Sequence, residues 1–108
     1  MDNLFLDTEA AGGEERVDRL AGGEGVRVER IVSHGQSSPD GFWYDQPEIE
    51  WVVLLAGSAR IAFDDGREES LAPGDHLLLP AHTRHRVAWS DPAQATVWLA
   101  VFYPDGDR

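Results

Sequence analysis

The pattern that most constrains this chain is a series of short apolar runs, separated by turn residues, that begins after residue 25. Short runs rich in β-branched and aromatic side chains are typical of strands. Asp65-Gly66 lies between two such runs and is a strong hairpin signal, because a tight hairpin turn needs residues that accept positive φ. Strands at this spacing predict an all-β barrel or sandwich. The predicted strands cover residues 26–33, 49–56, 59–64, 67–71, 76–80, 84–89 and 95–103.

The first 25 residues follow a different pattern. Residues 3–7 (NLFLD) predict a short first strand. In residues 14–21 (EERVDRLA) the apolar side chains recur at helical spacing and two glycines follow, so this stretch predicts one short helix. A chain of 108 residues has the size of one domain. We therefore expect a single domain over residues 1–108, with a strand and a short helix in residues 1–25 and a β-barrel in residues 26–103.

Composition limits the partners and the chemistry. The net charge of −11 disfavours binding to nucleic acid or to an anionic membrane. The absence of cysteine excludes disulfides, thiolate metal sites and cysteine nucleophiles. The chain has no apolar run of about 18 residues, and its acidic start lacks the features of a secretory signal. A cytoplasmic location is the default expectation.

Two of the predicted strands are apolar on both faces. Residues 51–55 (WVVLL) and 97–103 (VWLAVFY) contain almost no polar side chains. Such strands are covered on one side by the barrel interior and on the other by a second sheet or a second subunit. We therefore expect a homodimer.

Two motifs make the sequence resemble the single-domain cupins, which are small double-stranded β-helix proteins of the jelly-roll kind. The first motif is Glu50 with Gly57 seven positions later, separated by the run WVVLLA. The second is Gly74, then Pro80, then His85, in the stretch GDHLLLPAHTRH. The predicted hairpin lies between the motifs, as in the family, and the match covers about residues 40–90. The resemblance implies a cupin barrel with a small-molecule pocket.

The first motif departs from the family pattern. Cupins usually carry a His-x-His pair shortly before the glutamate, and this chain has neither histidine. Of the four metal ligands that the resemblance implies, only Glu50 and His85 are present. The positions at the matching distance hold Tyr44 and Gln46, or Trp43 and Asp45, depending on the spacing used.

Strand alternation adds an independent argument about the carboxylates. Glu48, Glu50 and Val52 lie on one face of their strand, because successive side chains point to opposite faces. The resemblance makes this face the barrel interior, where a carboxylate must be paired, protonated or bound to a cation. His85 and Val87 share a face of a later strand and would point into the same cavity. The carboxylates are therefore predicted to lie at the mouth of a pocket.

Three functions fit such a pocket. The first is a metal-dependent enzyme, by resemblance a dioxygenase or isomerase, in which Glu50 and His85 bind Fe, Mn, Ni or Zn and Gln46, Glu48 or His82 completes the site. The second is a module that binds or senses a small molecule without metal. The third is acid–base catalysis by Glu50 and His85 alone. The fold hosts all three functions and does not choose among them.

Aromatic side chains are predicted to form the wall of the pocket. Trp43 and Tyr44 follow a loop rich in Gly, Ser and Pro, and Trp89 lies on the predicted His85 face. With Val52 and Val87, they would give an apolar wall with a few polar groups, as in most small-molecule sites. His82 lies in a turn, which favours a solvent-facing role over metal ligation.

Overall fold

The protein is described by a computed structural model that covers residues 2–9 and 14–106. These residues form eight β-strands and no helix. The described residues therefore contain no helix that could cross a membrane. The strands are β1 (Arg16–Gly23), β2 (Val26–Ser33), β3 (Glu48–Ala56), β4 (Ala59–Phe63), β5 (Glu68–Leu71), β6 (His76–Leu79), β7 (His85–Ser90) and β8 (Thr96–Pro104).

The strands form two antiparallel sheets that face each other. The larger sheet has the order β1-β2-β8-β3-β6, and the smaller sheet has the order β5-β4-β7. The loop before β3 runs along the free edge of β7, where Tyr44 and His85 exchange backbone hydrogen bonds of 2.7 and 3.2 Å. This is the double-stranded β-helix that the sequence resemblance implies, and the predicted all-β class is confirmed.

The core lies between the two sheets. On β3 the inward face carries Glu50, Val52 and Leu54, whose partners on β8 are Phe102, Ala100 and Trp98. Leu54 and Ala100 have no solvent exposure, whereas Glu50 stands at the end of this apolar row. The predicted alternation on this strand therefore agrees with the structure, and it places one carboxylate at the edge of the core.

The outer face of the larger sheet is also apolar. Trp51 and Val53 of β3 lie opposite Val101 and Leu99 of β8 on this face. Leu78 of β6 pairs with Trp51 and is 57% exposed. The two strands that are apolar on both faces are the central β8 and its neighbour β3, and their inner faces form much of the core.

The seven strands predicted after residue 25 are observed, and no strand end is shifted by more than one residue. The predicted helix over residues 14–21 is wrong, because these residues belong largely to β1. Their backbone pairs with β2 from Arg16 opposite Val32 to Gly23 opposite Val26. A helix of this length is marginal in water, whereas the strand extends a sheet and gains its ladder of hydrogen bonds.

The predicted strand over residues 3–7 is also absent. This segment forms a turn and a bend on the outer face of the sheet. The buried Arg30 of β2 holds it there by donating hydrogen bonds to the carbonyl oxygens of Leu4 at 3.2 Å and Leu6 at 2.7 Å. The same guanidinium pairs with Asp18 of β1 at 2.6 Å. Its charge and its donors are therefore satisfied in the fold.

Gly57 explains why the first motif ends in glycine. It follows β3 with a φ of +86°, a conformation that disfavours any residue with a Cβ atom. A Cβ at this position would also lie 2.6 Å from the Cα atom of Thr96. The turn after β3 therefore requires glycine both for its dihedral angle and for its close approach to β8.

Candidate functional site

A pocket of about 210 Å³ lies between the sheets, at the end of the barrel where β3 and β7 begin. It is smaller than the ~300–1,000 Å³ of pockets that hold drug-sized ligands, so it suits a small organic molecule. Its wall is mostly apolar. The polar and charged side chains that line it are Glu15, Arg27, Glu29, Tyr44, Gln46, Glu50 and His85.

Glu50 is the buried carboxylate of this pocket. The amide of Gln46 donates a hydrogen bond of 3.1 Å to its Oε1 atom. Burial raises the pKa of Glu50 from its ordinary value of 4.5 to about 7, and this effect outweighs the opposing hydrogen bond from Gln46 and the attraction of Arg27. Glu50 is therefore close to half protonated at neutral pH.

His85 faces Glu50 from the opposite sheet. Its Nδ1 lies 2.8 Å from the carbonyl oxygen of Thr83, which can only accept a hydrogen bond, so Nδ1 carries a proton. Burial lowers the pKa of His85 and favours the neutral ring, although the bond to Thr83 acts in the opposite direction. The Nε2 atom of the neutral ring then has a free lone pair. It lies 3.7 Å from Oε1 of Glu50, just beyond hydrogen-bond length.

The ring of Tyr44 stacks on the ring of His85, with 5.4 Å between the ring centroids. Burial and the carboxylates of Glu15 and Glu50 raise the pKa of the Tyr44 phenol. Tyr44 therefore stays protonated at neutral pH. Its stacked ring restricts the orientation of the imidazole.

Glu48 has a different role from Glu50, although both lie on one face of β3. Glu48 forms an ion pair with Arg27, and Arg27 also binds Glu29 with 3.0 Å between Nε and Oε2. The Arg27 guanidinium lies over the ring of Phe102, 3.9 Å from its centroid. The two glutamates at the start of β3 thus have different partners. Glu48 forms an ion pair with Arg27 at the rim, whereas Glu50 lines the pocket.

Several predicted site residues meet in this pocket. Glu50 and His85 face each other, and the structure brings to them four of the other predicted residues: Gln46, Tyr44, Val52 and Val87.

Four other predicted residues do not line the pocket formed by the described residues: Trp43, Glu48, His82 and Trp89. His82 is exposed, and its Nδ1 lies 2.7 Å from Oδ1 of Asp45, outside the cavity. The prediction that Trp89 shares the face of His85 is wrong, because a bulge in β7 makes Ile61 pair with Val87 but Arg60 pair with Trp89. The extra residue reverses the alternation, and Trp89 lies on the outer face beside Arg60.

Sequence reasoning missed the contribution of the first hairpin. The helix that the sequence predicts over residues 14–21 includes Glu15 and Val17, so it does not place them at the pocket. Arg27, Glu29 and Ile31 alternate along β2 and all line the pocket. The alternation in VRVERIVS was the signal that could have found them, since it puts two charged residues and an isoleucine on one face.

The fold family implies a bound metal ion, which needs several donor side chains close together. In the part of the chain that the structure describes, no three His, Asp or Glu side chains are grouped so that they could hold a metal ion. Gln46 and Tyr44, at the spacing of the missing histidine pair, instead contact Glu50 and His85 directly. The residues present therefore do not fit the usual cupin metal centre.

Comparison with known proteins gives one family and a set of similar structures. The model of the cupin domain family matches residues 28–102. A solved structure from Ralstonia eutropha JMP134, named as a candidate mannose-6-phosphate isomerase, is 46% identical, with a TM-score of 0.92 over 96% of this chain and 97% of that chain. No curated protein matches this chain.

Two more distant structures are similar in fold alone. A cupin superfamily protein from Desulfitobacterium hafniense DCB-2 is 23% identical, with a TM-score of 0.74 over 90% of this chain and 84% of that chain. A cupin family protein with a double-stranded β-helix fold from Methanocaldococcus jannaschii is 16% identical, with a TM-score of 0.68 over 89% of this chain and 85% of that chain.

Proposed function

This chain belongs to the cupin domain family, and on that basis we propose that it binds a small organic molecule between Glu50 and His85 and transfers a proton on it without a bound metal. The observation that carries the proposal is the pair itself. Two buried titratable side chains face each other at 3.7 Å in one small pocket. Pairs whose environments shift their pKa values in this way are typical of acid–base sites.

The protonation states support complementary roles. Neutral His85 presents the lone pair of Nε2 to the pocket, since its Nδ1 proton is committed to Thr83. Glu50, with a pKa of about 7, retains its proton in a large fraction of molecules at neutral pH. His85 can therefore accept a proton while Glu50 donates one, which is the arrangement that general acid–base catalysis needs.

The reaction class that fits these roles is isomerisation of a small carbonyl compound. His85 would take a proton from the carbon beside the carbonyl group, and Glu50 would give its proton to the carbonyl oxygen. For a substrate with a hydroxyl group on that carbon, His85 would then pass its proton to the former carbonyl carbon while Glu50 takes back the proton of that hydroxyl group, so both side chains return to their starting protonation states. The Ralstonia relative is named as a candidate isomerase, which agrees with this class. The sugar phosphate in that name suits this pocket less well, because the one arginine among the described lining residues is already paired.

The first function that the sequence suggests is a metal-dependent reaction, with Fe, Mn, Ni or Zn held by Glu50 and His85. The donor set of the described residues argues against it, since Gln46 and Tyr44 replace the histidine pair. We derive no step through a metal. The other alternative, a binding module without catalysis, is distinguished from the proposal by the experiment below.

The test is deuterium exchange into dihydroxyacetone and aminoacetone in D₂O, followed by proton NMR with protein dialysed against EDTA. We expect exchange above the buffer rate and a fall of ~10²-fold or more for Glu50→Gln and for His85→Gln, as for other general acid–base groups. Trp89→Phe, on the outer face, is the matched control and keeps the rate. Exchange should also fall as the pH rises through about 7, because Glu50 then loses its proton.

Three results would contradict the proposal. Loss of exchange after EDTA treatment, with recovery on adding Fe, Mn, Ni or Zn, would establish the metal enzyme instead. Exchange that is equal in the wild type and in both pocket variants would remove Glu50 and His85 from the mechanism. Binding of the compounds with no exchange would leave a non-catalytic binding module.

A further inference from the structure

The charged groups that line the pocket are unbalanced. Three carboxyl groups line it, those of Glu15, Glu29 and Glu50, and one guanidinium, that of Arg27. All nine basic residues of the chain are arginines, and there is no lysine. The described lining therefore contains no ammonium group and an excess of acidic groups.

Arg27 is not available to an anionic ligand. Its Nε binds Glu29 at 3.0 Å, its Nη1 is paired with Glu48, and its plane covers the ring of Phe102. Its charge is thus compensated by two carboxylates. A ligand carboxylate or phosphate would have to displace them and would then meet the remaining acidic groups, so anions are disfavoured.

Glu15 and Glu50 lack such direct pairing, although Arg27 attracts Glu50 from a longer distance. Within the described residues, the hydrogen bonds to these carboxyls come from neutral groups: the hydroxyl of Ser33 donates to Glu15 at 3.2 Å, and the amide of Gln46 donates to Glu50 at 3.1 Å. No arginine lies within ion-pair distance of either carboxyl in that part of the chain. Burial raises the pKa of both groups, as expected for acids without a cationic partner.

The two carboxyls line the same pocket as Tyr44 and His85. Both act on the phenol of Tyr44, whose ring stacks on His85. The side chain of His85 is only 8% exposed, and its Nε2 points toward the same space without a hydrogen-bond partner among the described residues. Acids without a direct ionic partner, an unpartnered buried nitrogen and an aromatic ring therefore line one small pocket. Carboxylates attract an ammonium group, an aromatic face can contact it, and the Nε2 lone pair can accept one of its hydrogen bonds.

We propose that the ligand of this pocket is a small organic cation, an amine that is protonated at neutral pH, and that Glu15 binds its ammonium group. Glu50 and His85 then remain free for the proton transfer proposed above, on which this inference rests. Neutral molecules of the same shape bind more weakly, and carboxylates bind most weakly. Glu15 is assigned here as a specificity-determining residue that the cupin motifs do not include.

The test compares three probes of nearly equal size and different charge: benzylamine, benzyl alcohol and benzoate. Each is titrated into the full chain at pH 7 and followed by proton–nitrogen NMR, with shifts of Tyr44 and His85 marking the pocket. We expect benzylamine to bind about tenfold more tightly than benzoate, or ~1.4 kcal/mol, with benzyl alcohol between them. Glu15→Gln should remove most of this preference. Glu24→Gln, an exposed carboxylate in the β1–β2 turn, should leave it unchanged.

The outcomes separate this inference from the proposed function. Benzoate binding as tightly as benzylamine would overturn the inference, and so would an unchanged preference in Glu15→Gln with a native NMR spectrum. If benzyl alcohol still occupied the pocket in these cases, the small-molecule function would stand. If none of the three probes shifted Tyr44 or His85, the inference would fail, and the deuterium exchange experiment above would decide the proposed function separately.

Discussion

Replacing Glu50 by glutamine should change how the stability of the protein depends on pH. Glutamine keeps the shape of the side chain and the oxygen that accepts the hydrogen bond from Gln46, but it cannot ionise. In the wild type the folded-state pKa of Glu50 is about 7, against an ordinary value of 4.5. Between these two pH values the folded protein binds more protons than the unfolded chain, so the wild type loses stability as the pH rises.

The magnitude follows from the same two values. A pKa difference of one corresponds to ~1.4 kcal/mol, so the rise from 4.5 to about 7 costs the wild type about 3 kcal/mol once Glu50 is ionised. The side chain of Glu50 is only 10% exposed, so screening by solvent reduces this figure little. The Glu50→Gln variant should therefore be as stable as the wild type near pH 4. Near pH 8 it should be more stable by about 3 kcal/mol.

The assay is urea unfolding followed by tryptophan fluorescence, for both proteins, at intervals from pH 4 to pH 8. The lowered pKa of His85 has the opposite effect, since stability rises with pH where that ring loses its proton in the unfolded chain. His85 is present in both proteins, so the difference between the two curves isolates Glu50. Glu24→Gln controls for the loss of one surface charge. A difference that does not change with pH would refute the reasoning, because it would mean that Glu50 is not buried as an acid without a cationic partner.

Two further predictions concern the scaffold. Gly57→Ala should lower the free energy of unfolding in urea by about 3 kcal/mol, because the new Cβ adds a clash with Thr96 to a strained φ. Gly66→Ala should lower it by about 1 kcal/mol, because its φ is also positive but its Cβ would meet no atom within 4 Å. Equal losses would show that the contact with β8 is not limiting. The expected homodimer would use the apolar outer face of the larger sheet, so Leu78→Glu should convert a dimer to a monomer in sedimentation velocity. A wild-type protein that is monomeric at all concentrations would contradict the expected homodimer.

The first hairpin connects the fold to the proposed chemistry. Every strand after residue 25 could be read from its own apolar run and the turn residues around it, but β1 could not. Its apolar residues fit a helical spacing as well as an extended one, and the choice depends on β2, which offers a free edge with matching backbone groups. The misreading concealed Glu15, which supplies the third carboxyl group of the pocket.

The sequence by itself determined the all-β class, most strand positions and the central pair of the site. Period-two alternation and turn residues are local properties, so they survive without knowledge of the partners. Glu50 was identifiable because a carboxylate stands directly before an apolar strand, and His85 because it completes a spaced motif. The missing histidine pair was equally visible in the sequence.

Only the tertiary structure decided what these residues face. A bulge of one residue in β7 turned Trp89 outward, and no local pattern marks such an insertion. The separate roles of Glu48 and Glu50 depend on Arg27, which is distant in sequence and reaches Glu48 through the pairing of β2, β8 and β3. Burial, which sets the pKa of Glu50, is a property of all the strands around it. Alternation fixes the direction of a side chain, whereas its partners and its dielectric environment depend on non-local packing.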